Sequence, residues 1–324
     1  MFDPTVLARK IRAALAPCTL GSWPTPLEPA VPLAAAIGVQ ALWLKREDRS
    51  SVRYGGSKVR GLEFLLAGAV PSTVFVTLGG TGSTHCLATA VHATAVSCRA
   101  VLAQFPQPST ETTLALAAAS ERAAARVVRA PARMMLPLAI ARAWFAARRL
   151  GTPRWIPAGG AHPRAVAGQM LGGLELAAQL AEPPDAVVAP LGSGGTAAGL
   201  LLAFAALGWP TRVVAVRVAP AIVANGWRVA ALARAAARML ALHDVAVPLP
   251  PSPLVLNGIG AGYGHPSREG EASRTLAARH GLLLDPTYGA KAFAALPALG
   301  ALGLRRVVFW HTFAPPPGIS EHSR

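Results

Sequence analysis

Apolar runs three to six residues long, rich in valine and leucine, recur along the chain with alanine- and leucine-rich stretches between them. They lie at residues 41–44, 73–78, 100–105, 126–129, 155–158, 186–191, 213–218, 282–284 and 307–311. Short β-branched runs bounded by turn residues predict strands, and the longer stretches between them predict helices. In Val187-Val188-Ala189 and Val213-Val214-Ala215-Val216 neighbouring residues are all apolar, which predicts parallel strands covered by helices on both faces. The expected class is α/β, with open, mostly parallel, doubly wound sheets flanked by helices.

Glycine clusters stand where strands hand over to helices, at Gly79-Gly80-Thr81-Gly82, Gly159-Gly160 and Gly192-Ser193-Gly194-Gly195. In open α/β sheets those carboxyl ends are where ligands bind. Proline-rich pieces at 24–32, 248–253 and 315–317 read as loops or terminal segments, too short to link domains. The uncharged stretch 186–210 is broken by Pro190 and the third glycine cluster, so it predicts a buried strand, a loop and a buried helix in place of a membrane span.

Composition narrows the class. Of 324 residues 52% are hydrophobic and 14% charged, which excludes a disordered chain, a coiled coil and a disulfide-built miniprotein. The net charge of +16 comes from 27 arginines against four lysines, Lys10, Lys45, Lys58 and Lys291. The densest arginine stretch, 122–149, interleaves arginine with apolar residues at helical spacing and carries no aromatic ladder. It predicts solvated helix faces, with no nucleic-acid partner, although the charge favours the approach of anionic small molecules. Cys18, Cys86 and Cys98 are odd in number and lack zinc-ligand spacing, so no metal site and a reducing, cytoplasmic location are expected. Residues 1–12 contain no unbroken apolar run, so no signal peptide is expected.

Three loops carry candidate chemistry. Leu191-Gly192-Ser193-Gly194-Gly195-Thr196 follows an apolar strand and opens a helix, where glycines let the backbone approach an anion and unpaired N–H groups face it. The loop lacks the Walker lysine and the dinucleotide spacing, so the phosphate it suits need not belong to a nucleotide; a tight structural turn explains it equally well. Tyr54-Gly55-Gly56-Ser57-Lys58 sets a rare lysine at a helix start, where a cation opposes the helix dipole. In an apolar setting such an amine loses enough basicity to form a Schiff base. Gly82-Ser83-Thr84-His85 places polar side chains at another helix start, fit for a carboxylate or for plain N-capping. Two of the three tyrosines, Tyr263 and Tyr288, sit in glycine- or proline-flanked turns, where phenols can relay protons.

Taken in order, these pieces resemble the pyridoxal-phosphate enzymes typified by D-cysteine desulfhydrase and 1-aminocyclopropane-1-carboxylate deaminase. The likeness begins at Pro24-Thr25-Pro26-Leu27 and Leu44-Lys45-Arg46-Glu47-Asp48, and continues through Gly55-Gly56-Ser57-Lys58 and Ser83 with His85. It goes on through the 192–196 loop, Tyr263-Gly264, and Asp285-Pro286 with Tyr288 and Lys291, and ends at His311-Thr312. The resemblance implies a two-domain tryptophan synthase β-like architecture (fold type II) and pyridoxal 5'-phosphate as cofactor. Residues 1–52 with 160–324 are then the larger domain and 53–159 the smaller, with the cofactor in the cleft between them. Lys58 would hold the cofactor covalently. Gly192, Ser193, Gly194, Gly195 and Thr196 would take its phosphate, and Thr312 would approach its ring nitrogen. Ser83 would face the substrate, and Tyr263 and Tyr288 would line the reacting side. A small amino acid is the expected substrate and a homodimer the expected assembly.

Several positions depart from the family pattern. Gly61 replaces a lysine expected to neutralise the phosphate, and Arg60 is the candidate substitute. Thr84 replaces the asparagine that reaches the cofactor's ring hydroxyl, and Phe313-Ala314 replaces a glycine pair, which narrows the pocket. Gly289 follows Tyr288 where the deaminase has an acid, and this favours α,β-elimination over cyclopropane opening. The resemblance therefore implies a D-cysteine desulfhydrase-like lyase releasing a keto acid and ammonia. The alternatives are a deaminase-like enzyme, an amino-acid racemase, or a divergent non-catalytic cofactor-binding or regulatory protein.

Overall fold

The uniformly apolar runs form strands with both faces covered. In the computed structural model, which describes residues 2–316, ten strands are present among the described residues. They are β1 (Leu27–Pro29), β2 (Ala41–Arg46), β3 (Thr73–Gly80), β4 (Arg99–Phe105), β5 (Arg126–Arg129), β6 (Thr152–Trp155), β7 (Ala186–Leu191), β8 (Arg212–Arg217), β9 (Leu254–Asn257) and β10 (Arg306–His311). A six-stranded sheet has the order β1-β2-β10-β7-β8-β9, and a four-stranded sheet the order β5-β4-β3-β6. Every pairing is parallel except that of β1 with β2. The large sheet draws on segments before residue 47 and after residue 185, the small one on 73–155.

Strand β10 shows why the large sheet is buried on both sides. Val308 and Trp310 point into one apolar layer, with Met170, Leu174 and Leu200, and Val307 and Phe309 into the other, with Ile37, Phe293 and Leu296. The stretch 186–210 resolves into β7, the glycine turn and the helix Gly195–Leu207, which is apolar around its whole circumference and enclosed by the helices Pro163–Gln179 and Gly226–Ala241. Among the described residues no helix is long and apolar enough to cross a membrane.

Four local expectations are corrected. Residues 282–284 form no strand: Leu282 and Leu284 are buried in the second layer, but their backbone leads into the turn at Asp285 without a sheet partner. The run expected at 155–158 is β6 three residues earlier, because Ala158–Gly160 folds into a short 3-10 turn. Strands β1 and β9 lie in or beside segments whose prolines read as loop; β1 is a sheet edge, where Pro29 needs no N–H partner. The arginine-rich stretch 122–149 is not one set of helix faces. It spans the end of the helix Glu111–Ala123, the edge strand β5 with exposed Arg126 and Arg129, and the helix Leu136–Leu150. Charge on an exposed edge discourages pairing with another chain. Of the third proline-rich piece, Pro317 lies outside the described residues.

Candidate active site

The turn before Lys58 is pressed against two other segments. A Cβ on Gly55 would stand 1.9 Å from the Asp48 carbonyl oxygen, and Gly56 has φ +103° with the Thr312 carbonyl beneath it. Only glycine fits such an approach. The Gly56 N–H donates to the Glu47 carbonyl (2.8 Å) and the Ser57 N–H to the Thr312 carbonyl (3.2 Å). Lys58 is thereby fixed as the first residue of the helix Lys58–Leu65. Its ammonium donates to the Gly159 carbonyl at 3.3 Å, and burial pushes its pKa down to about 8.

The Gly159 carbonyl also accepts from the Ser193 hydroxyl at 3.2 Å, so the lysine and the third glycine loop meet at one oxygen. That loop caps the helix Gly195–Leu207. Gly194 takes φ +89°, and the space above Gly195 is open. The first N–H groups of a helix have no intrahelical partner, and here they face a cavity of about 420 Å³.

The same cavity is lined by Lys58, Ser83, Thr84, Tyr263, Tyr288 and Thr312, so the residues singled out in the sequence come together on its wall. Ser83 is the N-cap of the helix Thr84–Ala95, its Oγ accepting the Cys86 N–H at 3.3 Å. The Tyr263 and Tyr288 hydroxyls are 2.6 Å apart, and burial raises the pKa of both. One of them donates within the pair, which leaves the other a single proton to offer outward.

Groups to which the sequence reading gave no role hold this arrangement. Asp285 accepts the N–H groups of Thr287 (3.1 Å), Tyr288 (2.7 Å) and Gly289 (2.8 Å), setting the turn that presents Tyr288. Lys291, 2% exposed, donates to the carbonyls of Ile259 (2.7 Å) and Gly262 (3.0 Å) and so holds the loop carrying Tyr263. His85 lies beside Lys58; burial first, and then the Lys58 charge, pushes its pKa down to about 3. The Thr77 hydroxyl has one hydrogen and gives it to the Ile156 carbonyl (2.9 Å), so His85 Nε2 carries the proton in its 2.9 Å bond to Thr77.

The profile of the pyridoxal-phosphate dependent enzyme family matches residues 18–312. The chain belongs to this family. Its curated relatives include a nocardicin C-9' epimerase of Nocardia uniformis subsp. tsuyamanensis, 35% identical over 89% of this chain and 90% of the relative. A D-cysteine desulfhydrase of Salmonella choleraesuis is 30% identical over 92% and 94%. A crystal structure of an ACC deaminase homologue superposes with a TM-score of 0.82 at 28% identity, covering 94% of each chain.

Pyridoxal phosphate is thus the cofactor of this enzyme family, and the residues present suit it. An amine of lowered basicity and an open helix N-terminus stand on either side of one carbonyl, matching the aldehyde and phosphate ends of one small molecule. One detail differs from the sequence-based reading. Arg60 does not take the place of the missing lysine: its guanidinium turns away from the cavity to Glu47 (2.7 and 2.8 Å) and Glu175 (2.8 and 3.1 Å). Gly61 packs on the helix Pro163–Gln179, where a Cβ would meet that of Ala165 at 3.0 Å. Phe313 and Ala314 do stand in the cavity wall.

Proposed function

We propose that this enzyme is a lyase that acts on an amino acid by α,β-elimination, in the manner of the D-cysteine desulfhydrases it resembles. Water is consumed, and the β-substituent, ammonia and a keto acid are released. The observation that carries the reading is the buried amine of Lys58, poised near neutrality and tied to the phosphate-type loop through Gly159. The cavity is taken to lie in the cleft between the domains 1–52 with 160–324 and 53–159; the division of the two sheets supports this.

Pyridoxal phosphate, when bound, supplies an electron sink for the charge left at Cα. Lys58 holds the cofactor and, once free, accepts the Cα proton, a role that its depressed pKa suits. The N–H groups at Gly194, Gly195 and Thr196, with the Ser193 and Thr196 hydroxyls, receive the phosphate, and Thr312 stands for the ring nitrogen. The Ser83 hydroxyl and the start of its helix orient the substrate carboxylate, with Thr84 beside them. The outward proton of the Tyr263–Tyr288 pair serves the departing β-substituent. Gly289 offers no carboxylate after Tyr288, which weighs against cyclopropane opening.

Epimerisation is the second reading, favoured by the 35% identity to an epimerase. It shares the removal of the Cα proton and differs in returning it to the other face. Borohydride reduction and peptide mapping should place the pyridoxyl group on Lys58. The holoenzyme is then incubated in deuterated water with both enantiomers of cysteine, serine and β-chloroalanine. Keto acid supports elimination. Cα deuterium with inverted configuration and no keto acid supports the epimerase, and neither product overturns both readings.

A further inference from the structure

The residues assigned above do not account for the whole cavity. Ser83 is buried and Lys58 half-buried, and the same wall runs out to Phe105 and Leu136, both half-buried, and to Val223, which is 43% exposed. Among them stands Arg133, which is exposed; the other basic side chains among the described lining residues are Lys58 and His85, and burial keeps His85 neutral. Its polar contact within the protein is a 3.5 Å approach of Nε to the Pro106 carbonyl, and its guanidinium lies 5.6 Å from the Phe105 ring centroid. No carboxylate pairs with it among the described residues. The one carboxylate in the lining, Asp285, is taken up by three backbone N–H groups. Burial raises the Tyr263 pKa and the Arg133 charge slightly opposes that rise, so this mouth adjoins the phenol pair.

We propose that the cavity mouth is a second substrate subsite, in which Phe105, Leu136 and Val223 receive an apolar segment of the substrate's side chain and Arg133 receives a carboxylate at its far end. The proposal rests on the amino-acid chemistry assigned to Lys58 and names the substituent that leaves in it. A planar guanidinium stacked near an aromatic ring is suited to a carboxylate borne on an aryl group. Free cysteine or serine has no anionic group beyond its α-carboxylate, and would leave this end of the cavity unused. The class expected is a β-substituted alanine whose substituent is apolar along its length and anionic at its tip.

The test is equilibrium binding to the holoenzyme, followed by calorimetry and by the cofactor's absorbance. The probes are S-benzylcysteine and S-(4-carboxybenzyl)cysteine, each as both enantiomers. The carboxylated probe should bind about tenfold or more tightly at low salt, and the ratio should shrink as salt is added. In Arg133→Gln the ratio should fall to near one. In Arg142→Gln, which removes an exposed arginine from the helix Leu136–Leu150, it should persist, separating a local contact from the effect of the overall charge. A ratio near one in the unaltered protein, or one that survives Arg133→Gln, overturns the subsite. Keto acid is measured in the same samples: a binding preference without keto acid leaves the subsite standing and removes elimination, and keto acid without a preference does the reverse.

Discussion

Replacing Arg60 with leucine should cost the protein a large part of its stability. Arg60 is 2% exposed and makes a two-pronged contact with each of two carboxylates, while its guanidinium lies 3.9 Å from the Trp23 ring centroid. Without it Glu175 keeps Lys45, but Glu47, fully buried, keeps among the described side chains only the Thr25 hydroxyl at 2.8 Å. Breaking a buried ion pair from one side costs about 3–5 kcal/mol. The lost cation–π contact adds about 1 kcal/mol, which the leucine's own apolar contacts partly return. Set against a typical total of about 5–15 kcal/mol, a loss of about 4 kcal/mol should move the denaturation midpoint far down in urea with little change in slope. Arg60→Lys should fall between, since an ammonium cannot fork onto both carboxylates. The double variant Arg60→Met with Glu47→Met removes the stranded charge along with its partner and should recover about half of the loss or more. A loss below about 1 kcal/mol in Arg60→Leu, or a double variant no better than the single one, would refute the argument.

Acid should destabilise the fold early. Burial holds His85 at about 3 and His311 at about 4, with the Lys58 charge adding to the first and Asp48 partly opposing the second. The unfolded chain binds protons on both from about pH 6.5 downward while the folded protein does not, so stability is full above that pH and is lost as pH falls toward 4. At pH 5 the deficit should be about 2 kcal/mol per histidine, and a urea midpoint that stays flat from pH 7 to pH 5 would contradict this. Tyr288→Phe removes one half of the 2.6 Å phenol pair; turnover should drop on the order of a hundredfold to ten-thousandfold with the cofactor's yellow band intact, and loss of the band would move Tyr288 from proton handling to cofactor binding. Lys291→Met frees the Ile259 and Gly262 carbonyls, so protease cleavage within 258–266 should quicken about tenfold while kcat falls; unchanged cleavage with unchanged kcat would show that Lys291 positions nothing.

Much of this was readable from residue order alone, because strands buried on both faces and glycine loops leave local marks. The runs at 186–191 and 213–218 match β7 and β8 within a residue at each end, and the glycines at 192–195 stand at a helix start as their spacing implies. The errors arise where tertiary context outweighs local pattern. Leu282 and Leu284 have strand-like side chains but no neighbouring strand to bond, whereas β1 pairs despite Pro29 because it needs partners on one side only. Long-range pairs were invisible for a different reason. Arg60 meets Glu175 across 115 positions and Lys291 meets Ile259 across 32, and no spacing rule links residues so far apart. Arg133 looked like one of many surface arginines, and only the fold places it at the cavity.

Strand β10 is the last strand in chain order among the described residues, yet it lies inside the large sheet, between β2 and β7. During synthesis the small sheet, complete by residue 155, is free to form early. Paired on its outer side by β1, β2 with its apolar Leu42 and Leu44 waits for its inner neighbour through about 260 further residues, roughly 13 to 50 s at ribosomal rates. A chain that stops before residue 306 loses the middle of its sheet together with Thr312 and Phe313 in the cavity wall. The cavity wall is therefore complete only once β10 is in place, although Lys58 and the 192–196 loop are made long before it.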